Sequence, residues 1–377
     1  VIHQFGASVW AGGVLHLAVL RRELQRAPQG MILWPVVVAR FSLLAMLSIG
    51  TLLLAALYLS LHYIGDWNGL IGTAYGAMVL TKAVLLAFAM SFGAFNFFSV
   101  RRWKGDGDLS TLAHRTPALI EAEVFTALVI LSTAAALTSQ PPAIDLRADR
   151  ASPPEVLEVF LPKLPQLVPP PKQDILPMPT NSSDTVPYTV THSTLQSDFK
   201  HNVAGLLVII IGICAILDLT GKFRHLRYWP LLFLLMGLFI PLFTERTGFG
   251  SDGFWETLVI PEVLQHRLAT VLVAALALFE WRVRTDPVAH SRRIFVFPIL
   301  CLVGSVLLLT HSHNVSAIKS EFLIEISHNA IGILAVGVGV GRWLELRLPR
   351  PQNLVPGLLW TVCLTLVGFI LLFYREA

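Results

Sequence analysis

The sequence predicts an all-α protein, a polytopic transmembrane helical bundle of about ten spans broken by a proline-rich external linker. Three observations carry this. Hydrophobic residues make up 54% of the 377 positions and charged residues only 14%, with a mean hydropathy of +0.66, far from the roughly 25% charge of soluble domains. Apolar runs of about 20 residues, the length that crosses a bilayer, recur along the whole chain. The basic residues cluster in alternate loops, as the positive-inside rule demands of a multi-pass protein. Together these exclude a soluble enzyme held by one anchor. The net charge of +4 reports topology and gives no reason to expect nucleic acid as a partner.

The runs fall at about Ile2 to Leu20, Phe41 to Ile64, Gly76 to Val100, Pro117 to Leu137, His201 to Leu219, Tyr228 to Phe243, Pro261 to Trp281, Ile294 to Thr310, Glu321 to Val340 and Leu354 to Phe373. Alternate connections, beginning with the one after the first run, hold 18 of the 28 basic residues, among them Arg21, Arg22, Arg101, Arg102, Arg292 and Arg293. Those loops are expected in the cytoplasm. The first span then starts outside, and the C-terminus also lies outside. The segment from Gln140 to Lys200 is polar and carries Pro169-Pro170-Pro171, Pro177 and Pro179. Such density opposes regular helix and favours extended polyproline backbone. The expected organisation is a four-helix membrane domain (1–140), a periplasmic proline-rich linker (141–200) and a six-helix membrane domain (201–377). The linker serves either as a semi-rigid spacer or as an arm that docks on a larger membrane complex.

Cys214, Cys301 and Cys363 each sit in an apolar run, so no disulfide framework or Cys-x-x-Cys pair is present. The chain opens Val1-Ile2-His3-Gln4, which reads as neither a signal peptide nor a natural start, and further residues upstream are expected.

The 12 histidines carry most of the functional signal. His114, His225 and His290 belong to basic loops, His16 to the inner end of the first span and His192 to the linker. The other seven, His3, His62, His201, His266, His311, His313 and His328, all fall at or near outer span ends. Three have a carboxylate one turn earlier: Asp198 before His201, Glu262 before His266, and Glu325 before His328, with Glu321 a further turn back. Spacings of three or four place such pairs on one helix face, where a carboxylate either orients an imidazole for a metal or ligates directly. Helix-end ion pairs facing water are the plainer reading of the first two. His328, about 10 Å into its helix at 1.5 Å per residue, is deeper than solvation explains. His311-Ser312-His313 ends the neighbouring span on the same side. These residues predict a metal site at the outer face: His266, His311, His313 and His328 as ligands, Glu262, Glu321 and Glu325 beside them, His201 nearby, and His3 with His62 as a separate entry site. Imidazole with carboxylate suits copper, zinc, nickel or iron alike. Lys82 and Asn96 lie inside the third span, and Glu121 and Glu123 open the fourth. No nucleophile with a base, no phosphate loop and no hydrolytic motif occurs, so no catalytic activity is expected.

Trp10-Ala11-Gly12-Gly13 after His3, Arg40-Phe41-Ser42, Gly72-Thr73-Ala74-Tyr75-Gly76 with Lys82 and Asn96, and Glu121 to Glu123 leading to Pro141-Pro142 resemble the copper resistance protein D family over residues 1–142. Gly253-Phe254-Trp255-Glu256, Glu262 to His266 and His311-Ser312-His313 resemble the C-terminal membrane region of some members. The resemblance implies a bacterial inner-membrane protein that handles copper ion, for transport or delivery, beside a periplasmic copper-binding partner. A second class stays open, a non-catalytic integral subunit of a respiratory or copper-oxidase complex in which paired imidazoles hold a haem.

Overall fold

The structure, a computed structural model, describes residues 1–27, 30–102, 109–170, 192–243, 255–259, 261–286, 292–310 and 318–376. Among them every apolar run becomes a helix, and no strand occurs. The helices are α1 (Ile2–Arg26), α2 (Gly30–Tyr63), α3 (Trp67–Ile71), α4 (Ala74–Arg102), α5 (Leu109–Leu137), α6 (Pro153–Phe160), α7 (His192–Leu219), α8 (Leu232–Phe243), α9 (Pro261–Thr285), α10 (Val296–Leu309), α11 (Ile318–Arg347) and α12 (Leu354–Leu372).

Seven of them, α2, α4, α5, α7, α10, α11 and α12, have the length and apolarity of a membrane span, which corrects the expected ten. The other three fall short for visible reasons. Helix α8 has 12 residues, because the start of its run falls within a 3-10 segment, Arg224–Leu231, that contains Pro230. Helix α1 carries His3, Gln4 and His16, and α9 carries Glu262, Gln265, His266 and Arg267 in its first two turns. All three still pack lengthwise against other helices, α1 on α2 and α5, α8 and α9 on each other.

The long helices alternate in direction and so gather one set of ends rich in arginine and another rich in histidine. Trp10, Val14, Trp34, Leu86, Ala89 and Val124 form the core of the first half. Trp229, Phe297, Trp360 and Leu364 form that of the second. A third cluster joins them: Leu85, Phe92 and Ala122 from α4 and α5 pack on Leu302, Val336 and Val340 from α10 and α11. At the arginine end, Glu121 accepts two hydrogen bonds from Arg347, both 2.7 Å, and one from the Trp343 indole at 3.0 Å. This clamps α5 to α11.

Lipid tails are as apolar as leucine, so close backbone approach drives helix pairing in a membrane. Helices α7 and α12 show it: a Cβ on Gly205 would lie 2.2 Å from the Leu372 nitrogen, and one on Gly368 would lie 2.6 Å from the Ile209 nitrogen. The Gly72–Gly76 motif works likewise at the histidine end. Gly72 receives the Ala151 N–H at 3.0 Å on its carbonyl, and a Cβ there would sit 2.0 Å from the Ala151 oxygen.

The linker is more ordered than its prolines suggest. Ser152 and Glu155 form a capping box, and Pro153 and Pro154 occupy the first turn of α6, where a missing N–H costs nothing. The expectation that proline excludes helix here fails for that reason. Val156 packs with Ala77, Ala151 and Phe322, and Lys319 pairs with Glu155 at 2.7 Å. Residues 161–170 then run extended across the end of α7, where the Gln166 N–H donates to Asn202 at 2.6 Å. Arg375 donates to the Leu164 carbonyl.

Candidate metal site and buried polar groups

Helix α12 brings the two deepest histidines of the second half together. It lies between α7 and α11, and just past its end the buried Tyr374 ring sits 4.1 Å from His201 and 6.1 Å from His328, centroid to centroid. The two imidazoles are 6.0 Å apart and nearly perpendicular. Each Nδ1 contacts a carbonyl one turn back on its own helix, His201 to Ser197 at 2.9 Å and His328 to Ile324 at 3.0 Å. A carbonyl only accepts, so Nδ1 carries a proton, and in the neutral ring the lone pair is on Nε2. That is the tautomer in which histidine ligates through Nε2, with a backbone carbonyl as the outer partner that fixes the ring.

Of the predicted carboxylate partners, Asp198 is engaged by the C-terminal segment. Asp198 accepts from Arg375 at 3.1 Å and from the Glu376 N–H at 2.8 Å, anchoring the C-terminal segment, while His201 uses Ser197. Glu321 and Glu325 lie on α11, both half-buried. His3 reaches the Leu52 carbonyl at 3.3 Å, and His62 is exposed against Tyr63. Ten residues of α2, roughly 15 Å at 1.5 Å per residue, separate those two levels, so His3 and His62 do not converge. His311 and His313 lie outside the described residues, as do the side chains of Glu262 and His266. Among the described residues no three His, Cys, Asp or Glu side chains come close enough to hold a metal ion.

Two polar constellations escape a reading of the sequence alone. The first lies near the arginine end of the second half. Glu280, fully buried, accepts from Arg284 and Arg342, both at 2.7 Å. Arg342 also donates to Glu345 at 2.7 Å, Arg284 pairs with Asp218, and the Trp360 indole donates to Glu345 at 2.6 Å. By position in the sequence Arg284 and Arg342 count as loop charges, yet α9 and α11 carry both inside the bundle. The second lies in the first half. A cavity of about 440 Å³ is lined by apolar residues of α1, α2, α4 and α5 and by Ser42, Asn96 and Glu123. The Trp10 indole donates to Glu123 at 2.9 Å, and the Asn96 amide oxygen is buried with no hydrogen-bond partner among the described residues. Glu121 and Glu123, two residues apart, face nearly opposite ways round the helix, one to the clamp and one to the cavity.

Apolar helices sealed by backbone hydrogen bonds, glycine-mediated crossings and charges held in internal pairs define a multi-pass integral membrane protein. Residues 35–137, spanning most of α2 to α5, match the family model Copper resistance protein D. The chain is 32% identical over 140 residues to Copper transport protein CutJ of Bacillus subtilis (strain 168). That alignment takes in 37% of this chain and 24% of the relative, so the chain spans about a quarter of the relative's length. No solved structure matches the chain.

Proposed function

We propose that the protein handles copper ion as cargo in a bacterial inner membrane, for transport or delivery, taking it up at the histidine end. That end and the C-terminus face the periplasm in this reading, where a copper-binding protein would hand over the ion. His201 and His328 bind it through Nε2, with His311, His313 and His266 as further ligands and Glu262, Glu321 and Glu325 as nearby carboxylates. The observation that carries the reading is the pair of rings 6.0 Å apart, from helices far apart in sequence, each with Nδ1 turned away onto a carbonyl. The family match and the relative's name support copper over zinc, nickel or iron.

The test is the double variant His201→Ala, His328→Ala in the full chain, with bound copper and cellular copper accumulation measured. Copper affinity should fall at least tenfold, about 1.4 kcal/mol per decade. Unchanged binding and accumulation defeats the site. A Soret band in copper-free purified protein would instead favour the haem-binding subunit.

A further inference from the structure

The cavity of the first half plays no part in capture at the histidine end, and its construction is that of an organic ligand site. We propose that it binds a lipid-soluble aromatic molecule bearing a hydroxyl, of the hydroquinone class, which enters from the bilayer and donates its hydroxyl hydrogen to Glu123 and Asn96.

Four observations lead there. The volume of about 440 Å³ lies in the range of roughly 300–1,000 Å³ of small-molecule pockets, which are mostly apolar with a few placed polar groups. The mouth opens on the lipid-facing side of the bundle: Met46, Leu53 and Phe98 line the cavity and are also 48%, 45% and 55% exposed. At its inner wall, Glu123 and Asn96 are 5% and 3% exposed. They meet around Gly93, where a Cβ would be 3.6 Å from Glu123 Oε1, with Asn96 one turn further along the same face. The nearby hydrogens of the wall are already directed elsewhere, since Ser42 donates to the Val38 carbonyl at 2.8 Å and Trp10 donates to Glu123. The orphaned Asn96 oxygen therefore calls for a donor from the occupant, because a buried acceptor without one is costly.

The walls select among donors. Phe41, Phe97 and Phe98 with Met46 and Met90 offer ring faces and thioethers, which favour an aromatic body over a saturated chain. A hard cation fits poorly, since such ions take six or more oxygen ligands and this wall presents few oxygen-bearing side chains in an apolar room.

The experiment uses the full chain in phosphatidylcholine nanodiscs, without oxygen, titrated with decylubiquinol, decylubiquinone and decanol and followed by the shift in thermal unfolding. Decylubiquinol should bind saturably, about tenfold or more tighter than the quinone, which lacks the donor, and tighter than decanol, which lacks the ring. Asn96→Leu and Gly93→Leu, which remove the acceptor and fill the room, should each weaken it at least tenfold with unchanged elution and helicity. Equal affinity for quinol and quinone, decanol binding as tightly as quinol, or full binding in a folded Gly93→Leu protein would overturn the proposal. If both variants misfold, the wild-type ratios decide it.

Discussion

Two buried glutamates, one in each half, show how differently the same side chain is treated. Glu280 is enclosed by two guanidiniums, with Trp229 and Trp360 stacked on Arg284 at 4.9 and 6.0 Å. Glu123 has one neutral donor, the Trp10 indole, and faces an open cavity. A carboxylate that takes two fixed cations on one oxygen is committed to holding helices together, even though its other oxygen has no hydrogen-bond partner among the described residues. One with a single indole and space beside it keeps acceptor capacity for something that arrives. Depth in the membrane alone does not distinguish structural from functional charge; the cations fixed around it and the space left beside it do.

The contrast breaks most sharply on truncation. Glu280→Ala strands Arg284 and Arg342 without their shared acceptor, and losing one partner of a buried pair costs about 3–5 kcal/mol. Glu123→Ala leaves only an unpaired indole N–H, about 1–3 kcal/mol. Thermal unfolding of the two variants in one detergent should place Glu280→Ala well below Glu123→Ala. Equal losses would erase the distinction between a committed and an available carboxylate.

Glycines sharpen the same comparison with smaller effects. Gly205 is filled by its neighbour, whereas the nearest atom to a Cβ on Gly93 is a Glu123 oxygen at ordinary contact distance. Gly205→Ala must push α12 away and should cost about 1–3 kcal/mol, as overpacking does. Gly93→Ala should be neutral or slightly stabilising, since alanine is the better helix former. Unfolding midpoints check both, and a Gly205→Ala protein as stable as the parent would mean that α7 and α12 do not touch through their backbones.

Hydropathy makes the long helices legible because each span satisfies its own backbone hydrogen bonds, so its signal is local. The α6 capping box is equally local, visible in Ser152-Pro153-Pro154-Glu155, but the surrounding prolines outweigh it. The meeting of His201 with His328 is not local at all. It depends on α12 pressing against Gly205 and placing Tyr374 beside both rings, a contact between elements far apart in the chain. The spacing of Asp198, one turn before His201, is equally silent on Arg375, which reaches Asp198 from the far end of the chain. Charge counting groups Arg284 and Arg342 with the other arginines of their end but cannot see that their partners are internal.

The smallest effect concerns α6 at the histidine end, which is held in part by the Lys319–Glu155 pair. Lys319 first, then the Ser152 N–H and hydroxyl, hold the Glu155 carboxyl down at about 2. Asp66 is likewise held below the usual aspartate range by the Gly69 N–H and Arg150. A carboxyl whose value is depressed by folding supports the fold above its ordinary titration and loses that support as pH falls toward the depressed value. Docking of α6 should therefore survive mild acid and fail only as pH drops from about 4.5 toward about 2. Lys319→Ala removes the largest of these influences, returns Glu155 toward the ordinary range and moves the release to higher pH. Limited proteolysis between residues 141 and 170 across a pH series reads this directly. Cleavage profiles that coincide for parent and variant would show that α6 is retained by Val156 and its apolar neighbours alone, and that the ion pair adds nothing, as many exposed pairs do.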